Sequence, residues 1–195
     1  MNPSSFVARP RDVVLPIHLL DAAALAAADP DLRDAATQTG FEGRPGQVKM
    51  TGRGAEALVL ATPPTPKDCY GWSAICEAVR ARLGRDSLQK ISFKAETNDL
   101  QNLIGWGLGN FAHASYKSNQ EEQEPAALLV EDATLRERAE KILDGIALTR
   151  DLIQLPANRL GPQELAEAAE DLAGLFKAKI KITSDQDLIL SLIHI

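Results

Sequence analysis

The chain reads as an α/β protein with a largely parallel central sheet and helices on its faces. Short apolar runs alternate with amphipathic stretches, the rhythm of a sheet whose strands are joined by helices. Clusters of Gly and Pro punctuate the rhythm where one element gives way to the next. The 195 residues are 45% hydrophobic and 25% charged, enough for one sizeable core and ordinary for a globular protein, so disorder is excluded as the main state.

Residues 13–20 predict a buried strand, and 21–39 a helix that carries Leu25 and Leu32 and ends before Gly40. Turn residues at 43–46 and 51–54 precede "ALVLAT", an apolar strand from Ala57 to Thr62, and together predict a hairpin. "PPTPKD" at 63–68 predicts a loop, because proline cannot donate to a ladder. From Tyr70 the pattern predicts a helix with Trp72, Ile75, Cys76, Val79 and Leu83 on one face, closing on Gly84. "LQKISFKA", 88–95, alternates like a strand through Leu88, Ile91 and Phe93. A helix over 97–117 would place Leu100, Leu103, Ile104, Leu108 and Phe111 on its core side. An acidic loop follows, then the strand "AALLVE" from Ala126 to Glu131.

Thr134 with Glu137 predicts a capping box that starts a helix running to about Gln154. Its stripe is Leu135, Ala139, Ile142, Ile146 and Ile153, with Leu143, Leu148 and Leu152 on other sides, so more than one partner is expected to cover it. Pro156 ends it. Gly161-Pro162 opens another helix to about 177, presenting Leu165, Leu172, Leu175 and Phe176, and "AKIKITS" predicts a strand after it.

Charge and cysteine usage narrow the function. A net charge of -6 with scattered Lys and Arg offers no basic surface for a phosphate backbone, which argues against nucleic acid. Cys69 and Cys76 are too few for a disulfide scaffold and fit no tight zinc pairing, so they predict reduced, inert cytosolic thiols. Arg9 and Arg11 before "VVLPIHLL" superficially suggest a leader, but Pro16, His18 and Asp21 interrupt it and a strand explains it better. No apolar stretch approaches the roughly 20 residues needed to cross a bilayer, so a cytoplasmic location is expected.

No residue set announces chemistry. Gly105, Gly107 and Gly109 sit within an amphipathic helical run, not between a strand and a helix, so they predict close helix packing, not a phosphate loop. Glu121, Glu122 and Glu124 could bind a hard cation in principle but predict a solvated loop among Asn, Gln and Pro. His18, His113 and His194 have no neighbour at ligand spacing. There is no Gly-x-Ser-x-Gly elbow.

The stretch "TRDLIQLPANRLGPQELAEAAEDLA", 149–173, resembles the junction of the leucyl aminopeptidase (cytosol aminopeptidase) family, where a connecting helix ends in Thr-Pro-Ala-Asn and a Pro-x-x-Leu helix begins the catalytic domain. Pro156, Ala157 and Asn158 match; Leu155 stands where the family has Thr. "GWGLGNFAHASYK" and "TGFEGRPGQ" resemble further segments of the family. The resemblance implies that residues 1–131 form an amino-terminal α/β domain similar to macro domains, 132–154 an interdomain connector helix, and 155–189 the truncated start of the catalytic α/β domain. It also implies a hydrolase removing amino-terminal residues from peptides, a hexamer, and two divalent ions (Zn or Mn) held by Asp, Glu and Lys side chains that activate a bridging water. No position here matches those ligands, so no catalytic, cofactor-binding or metal residue is assigned, and the chain alone is expected to be inactive. "LSLIHI", 190–195, back-translates into the end of a transposon adapter used in sequencing libraries and is expected to be an artefact, with genuine sequence read to Ile189. The alternative expectation is a free-standing macro-like binding or assembly module without enzymatic activity; a catalytically dead paralogue acting as a scaffold is a third.

Overall fold

The computed structural model describes residues 5–52, 57–64, 69–97, 99–111 and 124–184. It divides into two compact units, Met1–Ala147 and Leu148–Ile195.

The first unit is built on a six-stranded sheet: β1 (Phe6–Val7), β2 (Val13–Leu19), β3 (Val48–Thr51), β4 (Leu58–Ala61), β5 (Ile91–Ala95) and β6 (Ala127–Leu129), in the order β1-β6-β5-β2-β4-β3. Every pairing is parallel except β3 with β4, which is the predicted hairpin. The α/β class is as the alternation predicts, and the antiparallel strand lies at an edge, where such strands commonly join parallel sheets. β1 is an addition that two residues are too few to announce.

Register places the core. Leu15 lies opposite Phe93, Phe93 opposite Leu128, and Ile17 opposite Val59, so one face of the sheet carries a continuous apolar floor. Two helices cover it: α3 (Cys69–Arg82) and α5 (Leu100–Asn110). Trp72 of α3 meets Trp106 of α5 edge-on with centroids 6.4 Å apart, and Trp106 lies 5.6 Å from Phe93 beneath it. The opposite face is covered near β4 by α2 (Pro30–Thr39), whose Ala35 and Ala36 join Phe41 over Leu60.

Several local expectations yield to specific chemistry. The predicted helix 21–39 is two, α1 (Ala22–Ala27) and α2, because Pro30 restarts the chain with Asp29 as its cap, the Asp29 carboxylate accepting from Leu32 N at 2.9 Å. Gly40 does close α2, at φ 66°. α3 ends at Arg82, just ahead of Gly84 as expected, but Gly84 does not close it in a left-handed conformation: with φ -76° it precedes α4 (Arg85–Lys90), and Leu88–Lys90, predicted as strand, belong to that helix. Leu88 is buried all the same, since one apolar residue per turn satisfies a short helix as well as an alternating strand.

In α5 the buried residues are Leu103, Gly105, Trp106, Gly107 and Gly109; Leu100, Ile104, Leu108 and Phe111 are only partly covered. The leucine pattern missed the glycine side because glycine carries no hydrophobic signal. A Cβ at Gly105 would lie 2.3 Å from the Cys69 carbonyl oxygen, and one at Gly109 2.5 Å from that of Ser73, so both glycines seat α5 on α3. Gly107 faces the other way, where a Cβ would lie 2.1 Å from Leu143 Cδ1. Leu143 belongs to α6 (Ala133–Gln154), whose inward seam in the first unit is therefore Leu135, Ala139 and Leu143, not the stripe through Ile142 and Ile146. The cap of α6 is Asp132 rather than Thr134: its carboxylate accepts from Thr134 N at 2.9 Å and Leu135 N at 3.0 Å, while Glu137 pairs with Lys141.

The second unit contains the last residues of α6, a turn in which Pro156 O accepts from Arg159 N and Leu160 N, and α7 (Pro162–Phe176). The Glu164 carboxylate accepts from Gly161 N at 2.8 Å and caps α7. Residues 178–184, predicted as a strand, join no ladder. Their Lys and Ile alternate, but Ile180 and Ile182 remain exposed, because alternation alone supplies no partner strand.

Candidate functional site

In a parallel α/β sheet, ligands bind beyond the carboxyl ends of the strands. Here those ends are followed by Asp21 after β2, Asp99 after β5 and Asp132 after β6. Each carboxylate is engaged locally: Asp21 accepts from Ala24 N at 2.7 Å, Asp99 from Gln101 N at 2.7 Å, and Asp132 caps α6. They fasten helix starts, satisfying N–H groups that would otherwise lack partners. No group of three His, Cys, Asp or Glu among the described residues could hold a metal ion, so these residues do not fit the pair of divalent ions that the family resemblance implies.

The clefts lie elsewhere. One of about 460 Å³ opens at the amino ends of the strands, between Leu15, Met50, Leu83 and Ile91, with Arg82 and Ser87 beside them. Another of about 340 Å³ shares Met50 and Arg82 and runs along the edge strand β3. Its lining comes from α2, α3, β3 and β4, so no local motif could have signalled it. Met50, Leu15, Leu83 and Ile91 supply apolar walls and no nucleophile or general base.

The residues weighed from sequence fall out as follows. Gly105, Gly107 and Gly109 are packing glycines. Cys76 is fully buried, and burial pushes its thiol far above the ordinary range, with Arg80 opposing only in part, so it stays protonated and unreactive. Cys69 is partly exposed at the start of α3. His18 lies on β2 opposite Leu60, half-buried. Glu124 pairs with Arg11 at 3.7 Å and accepts from Gln89, closing the amino edge of the sheet. Glu121, Glu122, His113 and His194 lie outside the described residues.

Two polar devices that sequence reading missed are structural. Asn110 clamps Ala126 from both sides, Nδ2 donating to Ala126 O at 2.9 Å and Oδ1 accepting from Ala126 N at 2.8 Å. Trp106 Nε1 donates to the same carbonyl at 2.7 Å. Arg80 Nη1 donates to Gly109 O at 2.9 Å, fastening α3 to the end of α5.

The geometry thus defines an α/β domain with a mostly parallel sheet and no assembled catalytic group among its described residues. Comparison with known proteins gives that domain its relatives. No family model matches the chain. A probable cytosol aminopeptidase of Thermosynechococcus vestitus is 42% identical over 50 residues, 26% of this chain and 10% of that protein. One of Brucella anthropi is 27% identical over 176 residues, 77% of this chain and 35% of the relative. The crystal structure of a cytosol aminopeptidase from Coxiella burnetii superposes with a TM-score of 0.73 at 24% identity, covering 94% of this chain and 40% of that one, and so shares the fold. The resemblance to the leucyl aminopeptidase family read from the sequence is borne out by these relatives. The matches take in well under half of each relative's length. Among the described residues no helix is long and apolar enough to cross a membrane.

Proposed function

We propose that this chain is the amino-terminal part of a metal-dependent leucyl aminopeptidase, a cytoplasmic, homo-oligomeric hydrolase that removes amino-terminal residues from peptides. The observation that carries this reading is the likeness to the Brucella anthropi aminopeptidase across 77% of the chain. In this reading residues 1–131 form the amino-terminal domain, 132–154 the connector, and 155–189 the first part of the catalytic domain. The two Zn or Mn ions belong to carboxylate and lysine ligands outside this chain, and no step of the hydrolysis is assigned to its residues.

The test has two arms. The protein encoded by the complete locus, expressed and loaded with Zn²⁺ or Mn²⁺, should hydrolyse a leucyl-anilide, whereas the 195-residue chain under the same conditions should not. Turnover by the chain alone, or an inactive parent with no carboxylate and lysine ligand set in its sequence, would overturn the reading. Calorimetric titration of the chain with ADP-ribose checks the macro-like binding module: no heat of binding is expected, and micromolar affinity would favour that alternative.

A further inference from the structure

Among the described residues β3 forms one edge of the sheet, with β4 on its inner side. Thr62 N donates to Gln47 O at 2.9 Å, and the alternation of an antiparallel ladder then turns the main-chain groups of Lys49 and Thr51 toward β4. The N–H and C=O groups of Val48 and Met50 consequently point away from β4, across the edge. Helices overhang that edge on both faces. Lys49 lies opposite Leu60, on the face that α2 covers, whereas Val48 and Met50 pack on the cluster that contains Val79 of α3. Gln38 and Thr39 of α2 and Ala78, Val79 and Arg82 of α3 thus enclose the groove of about 340 Å³ beside β3. A further strand would lie about 4.8 Å out from β3, between the two helices.

We propose that this groove binds an extended peptide with acidic side chains, which adds to the sheet as a strand beyond β3. Main-chain bonds to Val48 and Met50 supply the affinity, and the flanking side chains supply the choice of sequence. The charged residues among the described lining, Lys49 and Arg82, are both cationic. An incoming strand that alternates apolar and acidic residues sets its apolar side against Val48 and Met50 and its carboxylates beside Lys49, with Arg82 at the Met50 end. Charge also selects against two other occupants. In a second copy, β3 against β3 would bring Lys49 and Arg82 onto their own kind, and like charges facing each other across strands are destabilising. Residues 178–184, which join no ladder, alternate Lys with Ile and carry the same sign as the groove.

The proposal does not rest on the peptidase reading, and its test uses no catalysis. It takes the 195-residue chain and two fluorescein-labelled peptides with blocked termini, one alternating Glu with Val and one alternating Lys with Val. Fluorescence anisotropy should show saturable micromolar binding of the acidic peptide and binding of the basic one weaker by about tenfold or more. Met50→Pro should weaken binding of the acidic peptide by about tenfold or more, because it deletes an outward N–H and leaves the bonds to β4 in place. Tryptophan fluorescence and circular dichroism check that this variant folds. Lys49→Glu combined with Arg82→Glu, which keeps every backbone donor, should reverse the preference in favour of the basic peptide. The proposal is overturned if the acidic peptide does not bind at high micromolar concentration, if both peptides bind alike, or if the charge reversal leaves the preference unchanged. Full binding by a folded Met50→Pro chain overturns it equally, as does a dimer of the chain that Met50→Pro dissolves.

Discussion

Helices α5 and α7 make an instructive pair. Both are amphipathic in sequence and both start at a capped end, by Asp99 and by Glu164. Yet α5 buries five residues against α3, the sheet and α6, while α7 buries none. The difference lies less in apolar content than in what neighbours can reach. Gly105 and Gly109 let the α3 backbone close on α5, Gly107 makes room for the Leu143 side chain on the other side, and Trp106 fills the space above Phe93. In α7, Gly174 looks into open space and the leucines point at solvent. An apolar stripe records a helix's need for a partner, and shape decides which partner it finds.

The sharpest way to break this comparison is to truncate one large apolar side chain on each helix. Trp106→Ala removes a fully buried ring and its hydrogen bond to Ala126 O, and should cost about 3–5 kcal/mol in denaturant unfolding followed by circular dichroism. At low protein concentration Leu172→Ala should move the tryptophan-monitored transition by less than about 0.5 kcal/mol, since both tryptophans lie in the first unit. Equal losses would mean that α7 is held as firmly as α5. A glycine pair sharpens the point. Gly105→Ala drives a methyl onto the Cys69 carbonyl and should destabilise by about 1–3 kcal/mol, whereas Gly174→Ala meets nothing and should stabilise α7 by up to about 1 kcal/mol through helix propensity.

Capping offers the next smaller effect. Asp132→Ala should cost about 1 kcal/mol in the same melts, and Thr134→Ala close to nothing, because only Asp132 receives the first N–H groups of α6. The smallest effect belongs to Glu137. Lys141 donates to it and holds its carboxyl below the usual range, so its contribution exists above the ordinary Glu value and fades as pH falls through the lowered one. Glu137→Gln should therefore slightly flatten the acid side of the stability profile, and a steeper profile would contradict the pairing.

Much of the fold was legible because burial and period agreed. The Trp72, Ile75, Cys76 and Val79 face of α3, the β3–β4 hairpin and the strand at Ala127–Leu129 all carry the signal that packing uses. The close packing at Gly105 and Gly109 was legible from their spacing of one helical turn, whereas legibility failed at Pro30, whose missing N–H splits the helix at Asp29. Leu88 fitted two periods at once, and the Ile–Lys alternation of 179–182 describes a strand only when another strand is present. For the site, the Pro156-Ala157-Asn158 junction pointed to a family, whereas the cleft around Met50 and Arg82 draws on separate elements and left no local trace.

The two-sided grip of Asn110 on Ala126 has a practical corollary for protein engineering. Because the amide ties the exit of α5 directly to the entrance of β6, the fifteen positions between them have both endpoints anchored independently of their own content. Extra polypeptide spliced between those endpoints is closed by the same amide, and each doubling of the connecting length adds only about 0.6 kcal/mol of closure entropy. That makes it the place to carry an affinity handle or a fluorescent reporter, leaving the β-sheet register untouched.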